Sequence, residues 1–315
     1  MQLGINTQET CNLCPRRCGA DRTQSKGFCG ATDSLEVASV CVHRGEEPPL
    51  NPIVNVFFAH CNLQCVYCQN YQISGQCTVT DDLCAESAST LADRICQQLN
   101  TEHLTTSTPL IGLVTAAHYV THIPLIIDEL HSRGLHPTVV YNSSGYESVE
   151  TLRSLEGLID IYLPDFKYMD PLLAKAYSHA SDYPEVATAA LREMIRQVGL
   201  GLKTDENGTA YRGLIVRHLV LPGAVENSLA VLNHLAQMAT DHWPLAALHL
   251  SLMAQYFPPR PGLPSPLDRT VTPEEYRTVV SRAEELGLTD GWIQELTAQD
   301  NYRPDFTQTN PFPAL

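Results

Sequence analysis

At 315 residues the chain has room for two domains, or for one large α/β domain with an addition, and a small disulfide-stapled scaffold is excluded as the overall architecture. Its 20 basic and 35 acidic residues leave a net charge of −15, which speaks against nucleic acid and anionic membrane surfaces, since both are bound by clustered Lys and Arg. All eleven cysteines, Cys11, Cys14, Cys18, Cys29, Cys41, Cys61, Cys65, Cys68, Cys77, Cys84 and Cys96, fall in the first third. An odd number in tight clusters argues for metal rather than an exported disulfide framework. The first residues, MQLGINTQETCNLC, have neither a basic start nor an apolar core. With no apolar run near the roughly 18 residues of a membrane span, a cytoplasmic protein is expected.

Residues 1–45 carry five of the cysteines among turn residues (CGADR, SKGFCG, ATDS) and read as a Cys-rich metal-binding appendage. Cys11, Cys14, Cys18 and Cys29 lie within 19 residues, and four thiolates can close a tetrahedral zinc site or an auxiliary iron–sulfur cluster. Cys41, in VASVCVH, fits an ordinary buried thiol on a strand. From Ile53 onward short β-rich runs at 53–58, 110–115, 138–141, 159–163, 214–221 and 247–252 alternate with helical stretches. Helices are expected over 83–99, 122–133, 147–154, 185–198, 226–240 and 273–286. The last is best marked, with Thr272 as N-cap, Pro273 in the first turn and Gly287 as stop. Six alternations imply a parallel sheet with right-handed crossovers, open or curled into a barrel, with its chemistry on the loops leaving the strand C-termini. Cys77, Cys84 and Cys96 read as small buried hydrophobes. Residues 301–315 lack periodicity and are expected to lie along the surface or fray.

IVNVFFAHCNLQCVYCQNYQIS places Cys61, Cys65 and Cys68 at CxxxCxxC spacing immediately after a buried-type strand. Three thiolates on one loop cap three corners of a cubane and leave one iron open to a small-molecule ligand. A structural zinc ion would need a fourth ligand, from His60 or elsewhere. The triplet, the strand before it and the aromatic Tyr67 favour the cluster. CNLQCVYCQN resembles the signature of the radical S-adenosylmethionine (SAM) superfamily. CNLCPRRCGADR, HRGEEPPL, VYNSSGYE, DIYLPDFKYMD, SHASDYPEVA and RGLIVRHLVLPG resemble, in order, one branch of it: the radical SAM proteins related to pyruvate formate-lyase activating enzyme. The resemblance covers about residues 11–260.

This resemblance implies an α/β fold, a partial (β/α)6 radical SAM barrel over residues 46–300, with the appendage over 1–45 before it and a tail over 301–315 after it. It implies a 4Fe-4S cluster on Cys61, Cys65 and Cys68 whose open iron chelates SAM. Tyr67 would sit beside the adenine, Asn142 and Ser144 at the ribose, and Asp165 and Lys167 toward the SAM carboxylate and the substrate. Asp165 and Lys167 flank one residue, so both point to one side of a strand end. Without the resemblance, the same residues read as a polar turn with Gly145 at positive φ and a strand-end salt bridge. Arg217 interrupts an apolar strand, where a charge is costly unless paired or solvated, and is a candidate cofactor-binding residue. His218 points to the opposite face. Where the superfamily carries a Gly-Gly-Glu element this sequence reads GLVTAAHYVTH, with Thr115 and His118 in that neighbourhood and no acid, and NPIVNVFFAH lacks the glycines expected before the triplet.

The activity the resemblance implies is reductive cleavage of SAM to a 5'-deoxyadenosyl radical that abstracts hydrogen from a substrate. It favours an activase acting on a glycine of a partner protein. The alternatives are an enzyme modifying a small molecule or peptide, and a non-catalytic zinc or iron–sulfur electron-transfer or scaffold protein. An electron donor such as flavodoxin or ferredoxin is the expected partner, with no nucleic acid and no membrane.

Overall fold

The computed structural model describes residues 10–75, 83–101, 104, 108–240, 247–300, 303–308 and 310–312. Its strands are β1 (Val37–His43), β2 (Ile53–Phe58), β3 (Leu110–Val114), β4 (Thr138–Ser143), β5 (Ile161–Pro164), β6 (Lys203–Thr204), β7 (Ala210–Leu214), β8 (Val216–Leu219), β9 (Leu250–Met253) and β10 (Gly291–Ile293). The helices are α1 (Ala88–Thr101), α2 (Ile123–Ser132), α3 (Val149–Ser154), α4 (Pro171–Ser178), α5 (Tyr183–Val198), α6 (Val225–Thr240) and α7 (Pro273–Glu285). This is a mixed α/β fold with a mostly parallel sheet. β2, β3, β4 and β5 pair in parallel, and β8, β9 and β10 form a second parallel set. A parallel bridge between Asp165 and Arg217, with the Phe166 N–H donating to the Arg217 carbonyl at 2.7 Å, joins the two sets. Every residue of β2 and β3 is buried, as expected of parallel strands covered on both faces, and this is why they read as unbroken apolar runs.

The six expected strands are all present, with one correction. The run expected as one strand over 214–221 changes partner at Ile215: β7 pairs with β5 and with the antiparallel β6, whereas β8 pairs with β9. Gly213, at φ +131°, permits the switch, since a Cβ there would lie 2.3 Å from the Gly201 carbonyl oxygen. The six expected helices are present as α1, α2, α3, α5, α6 and α7, with bounds within about five residues of those periodicity gives. α7 opens on a capping box in which the Thr272 side chain accepts from the Glu275 N–H and the Glu275 carboxylate accepts from the Thr272 N–H. α4 was not expected, although Asp170 and Pro171 mark its start: the Asp170 carboxylate accepts from the Leu172 N–H at 2.8 Å.

The ends of the chain depart from expectation. The Cys-rich segment shares the main core rather than standing apart, because Ala31, Leu35, Val37 and Val40 pack in the same cluster as β2, β3 and β4, and β1 pairs antiparallel with β2. The tail does not simply lie along the surface. Phe306 packs edge-on and Phe312 at a tilt against Phe57 of β2, with ring centroids 5.3 and 5.5 Å away, and the Phe306 N–H donates to the Gln72 side chain at 2.9 Å. Apolar area at two well-placed aromatics holds the segment where periodicity is silent. Cys41 is buried in β1, as read, but Cys84 is exposed and Cys96 half-buried, so neither is a fully buried hydrophobe. Cys77 lies outside the described residues. Among the described residues no helix is long and apolar enough to cross a membrane.

Candidate functional site

A single pocket is lined by residues of β2, β3, β4, β5, β8 and β9, including Phe57, Val114, Asn142, Leu163, Arg217 and Met253. Six strands spaced about 4.8 Å apart reach one pocket only if the sheet wraps around it. The cysteine loop leaves the end of β2 and closes one wall: Cys61, Cys65 and Cys68 all line the pocket, as does Tyr67. Two non-glycine residues in the left-handed region, His60 at φ +70° and Gln64 at φ +53°, fold the loop back on itself. His60 does not reach the pocket; its Nε2 lies 2.6 Å from the Glu36 carboxylate. Burial pushes the three thiols up, Cys65 to about 11 and Cys68 to about 12, so as free thiols they are protonated at neutral pH. A metal would be needed to hold them as thiolates.

Asn142, Ser144, Asp165 and Lys167 stand at the ends of β4 and β5 on the same pocket. The Lys167 ammonium is ion-paired with Asp165. Burial works against its charge, but the Asp165 carboxylate outweighs this and holds its pKa above the ordinary lysine value. Tyr183, from the first turn of α5, fixes both strand ends from behind. Its hydroxyl is 2.8 Å from the Ser144 carbonyl and 2.9 Å from the Asp165 carbonyl, and accepts from the Lys167 N–H at 3.0 Å. Gly145 is at φ +77°, where a side chain is strained, and a Cβ there would meet the Asp165 carbonyl oxygen at 2.3 Å, so both the backbone and the close approach require glycine.

Arg217 also faces the pocket, but its charge is already matched. It donates through Nε to Glu47 Oε1 at 2.8 Å and through Nη2 to Glu47 Oε2 at 2.5 Å and to Glu46 Oε2 at 3.1 Å. Glu46 in turn accepts from Gln255 at 3.0 Å, so the loop after β1 is tied to the end of β9. Burial alone would push the Glu46 carboxyl up, yet Arg217 beside it holds it well below the usual range. The sequence signal for this pairing is only that an arginine in an apolar strand needs a partner. His218 is a core residue, its ring nitrogens 2.7 Å from the Phe166 carbonyl and 2.9 Å from Ser228 Oγ. Thr115, at φ +61°, lines the pocket. His118 turns away to within 2.7 Å of the Ala59 carbonyl, and burial pushes its pKa down to about 3.

The N-terminal cysteines lie beside the loop, not on the pocket. Cys11, Cys14 and Cys29 are buried and Cys18 is exposed. A Cβ on Gly27 would lie 3.4 Å from Cys29 Sγ and 3.5 Å from Cys18 Sγ. The Cys61 N–H donates to the Cys29 carbonyl at 3.4 Å, and Arg16 donates to the carbonyls of Asn62 and Ser178 at 2.9 and 2.8 Å. Among the described residues no three His, Cys, Asp or Glu side chains are disposed to hold a metal ion. A single ion gathers its thiolates at about 2.3 Å from one point, whereas a four-iron cube takes one thiolate per iron. Three thiols of one loop spread along a pocket wall suit the cube by their donor chemistry and their spacing in the chain.

No family model matches the chain. It is 26% identical over 292 residues to an uncharacterized protein of Methanocaldococcus jannaschii, covering 91% of this chain and 78% of that one. Two solved structures are similar in part. One is anSMEcpe with bound AdoMet, at a TM-score of 0.45 and 9% identity, covering 71% of this chain and 54% of that one. The other is QueE from Escherichia coli, at a TM-score of 0.33 and 11% identity, covering 70% of this chain and 94% of that one. The chain thus spans about half the length of anSMEcpe.

Proposed function

We propose that the chain is a radical SAM enzyme on a partial (β/α)6 barrel. The observation that carries this reading is the meeting of Cys61, Cys65 and Cys68 with Asn142, Ser144, Asp165 and Lys167 on one pocket, over the ends of consecutive parallel strands. When bound, a reduced 4Fe-4S cluster together with SAM supplies the 5'-deoxyadenosyl radical that takes hydrogen from the substrate. The three cysteines hold three corners of the cluster. The Lys167 ammonium, oriented by Asp165, offers a point charge to the SAM carboxylate. Asn142 and Ser144 hydrogen-bond the ribose, and the Tyr67 ring flanks the adenine. Phe57, Val140 and Leu163 give the pocket apolar walls that exclude water. Arg217, saturated by Glu46 and Glu47, braces the wall.

The N-terminal four thiols belong to the same proposal as a second metal site, zinc or iron–sulfur, and a flavodoxin or ferredoxin as the electron donor. For the substrate, the branch resemblance supports a glycine of a partner protein. Pro304 and Phe312 line the pocket and narrow the room for a folded partner, which favours a second reading, a small molecule or short peptide. Anaerobic reconstitution followed by dithionite and SAM tests the enzyme. The expected outcome is release of methionine and 5'-deoxyadenosine, abolished by Cys65→Ala. A chain that carries the full cluster and leaves SAM uncleaved is instead the electron-transfer or scaffold protein. Deuterium transfer from labelled candidate substrates into 5'-deoxyadenosine separates the two substrate readings.

A further inference from the structure

Behind the cysteine loop runs a row of hydroxyls for which the proposed chemistry has no use. Ser178, the last residue of α4, donates to Cys65 Sγ at 3.0 Å. Its Oγ is 2.7 Å from the Tyr168 hydroxyl, which is 2.7 Å from the Tyr67 hydroxyl. Ser178 and Tyr168 are fully buried and Tyr67 is 4% exposed. The end of α4 is fixed against the loop from two sides. The Val66 N–H donates to the Tyr177 carbonyl at 2.8 Å, and Arg16 donates to the Ser178 carbonyl at 2.8 Å. Helix, loop and N-terminal segment therefore hold the serine in register with the sulfur.

Each hydroxyl carries a single proton, so three protons serve the row's three contacts. A thiolate accepts only. With Cys65 as a free thiol the Tyr168 hydroxyl donates to Tyr67; once Cys65 is a thiolate, Ser178 donates to it, the Tyr168 proton turns to Ser178 and the Tyr67 proton turns to Tyr168. Any other order sets two lone pairs against each other in a buried site. The row is then aligned from pocket to sulfur, and each bond polarises the next.

We propose that Ser178 is a positioning residue that sets the reduction potential of the cluster through its hydrogen bond to Cys65, with Tyr168 and Tyr67 holding its proton toward the sulfur. This rests on the reading of Cys65 as a cluster ligand. Hydrogen bonds to cluster sulfurs are among the levers that set cluster potentials. Because reduction adds negative charge, a donor at the thiolate stabilises the reduced form more than the oxidised one and raises the potential. Tyr67, at the far end of the row, is also one of the residues that line the pocket.

The test is an anaerobic redox titration, followed by electron paramagnetic resonance, of the full chain reconstituted with iron and sulfide. Wild type is compared with Ser178→Ala, Ser178→Thr and Tyr168→Phe. Ser178→Ala is expected to keep the wild-type iron and sulfide content and to move the midpoint to a more negative potential. Ser178→Thr, which keeps a hydroxyl, restores it toward wild type, and Tyr168→Phe moves it in the negative direction by less. An unchanged or more positive midpoint in Ser178→Ala at full cluster content overturns the proposal and leaves the radical SAM reading standing. A wild-type chain that takes up no four-iron cluster overturns both. If Ser178→Ala does not fold, Tyr168→Phe decides by the direction of its own shift.

Discussion

Two cysteine-rich stretches lie side by side in this molecule, joined where the Cys61 N–H meets the Cys29 carbonyl, and they stand in different surroundings. Cys61, Cys65 and Cys68 leave the end of a parallel strand and face a pocket with Lys167, Asp165 and Asn142 on its other walls. Cys11, Cys14, Cys18 and Cys29 wrap the outside of that loop. There the Leu13 carbonyl accepts from Thr151 at 2.6 Å and the Arg16 guanidinium sits 4.2 Å from the Phe28 ring centroid. The spacing of thiols speaks of affinity for metal. What stands opposite the thiols decides whether a metal there can act on anything.

Substitutions that treat the two stretches unequally sharpen this contrast. The largest effect belongs to the thiols. Cys65→Ala is expected to abolish 5'-deoxyadenosine formation, whereas Cys18→Ala lowers total bound metal and leaves the SAM-sensitive cluster signal in place; loss of that signal in Cys18→Ala would break the division. Next is Arg217→Met, which leaves Glu46 and Glu47 facing each other in a buried wall. Urea unfolding should register a loss of about 3 to 5 kcal/mol, with the N-terminal metal content unchanged in protein that still folds. Gly145→Ala forces a side chain into the left-handed region, at about 1 to 2 kcal/mol, and pushes against the Asp165 carbonyl. Its expected mark is weaker SAM binding with cluster assembly intact, measured by equilibrium dialysis.

The smallest effect lies far from both stretches, on α7. Arg269, then the N–H groups of Thr272 and Gly223, hold the Glu275 carboxyl down to about 2, below its ordinary value of 4.5. A depressed carboxylate stabilises the fold fully above its unfolded value, and that contribution is lost as pH falls from about 4.5 through 2. After allowance for solvent screening the contribution is about 1 kcal/mol. Glu275→Gln should flatten this part of the stability profile in urea titrations between pH 6 and about 3 while leaving metal content alone; an unchanged slope would refute the assignment.

Much of this was legible in the chain itself, for physical reasons that also mark the limit. Strands buried on both faces must be apolar throughout, so 53–58 and 110–115 announce themselves. The cysteine triplet, Tyr67 and the Asp165–Lys167 pair are local patterns, and the structure gathers them on the one pocket. Contacts made across long sequence separations left weaker traces. The Arg217 charge shows, but its partners stand 170 residues away, and only the general cost of a lone buried charge points toward them. Tyr183 and Ser178 look like ordinary helix residues, since their roles arise from where α4 and α5 dock. The break at Ile215 is hidden because an apolar run carries no mark of a change of partner.

The C-terminal segment bears on how the protein is made. Gln72, just past the cysteine loop, is tied to Asp305, 233 residues later. At a synthesis rate of about 5 to 20 residues per second, that span takes roughly 10 to 50 s to emerge. Through that interval the pocket lacks Pro304 and Phe312, while the loop that carries the thiols has already been synthesised. The residues that close this side of the pocket are thus the last to be made, and their contacts with Gln72 and Phe57 can form only after the strands that line the pocket have emerged.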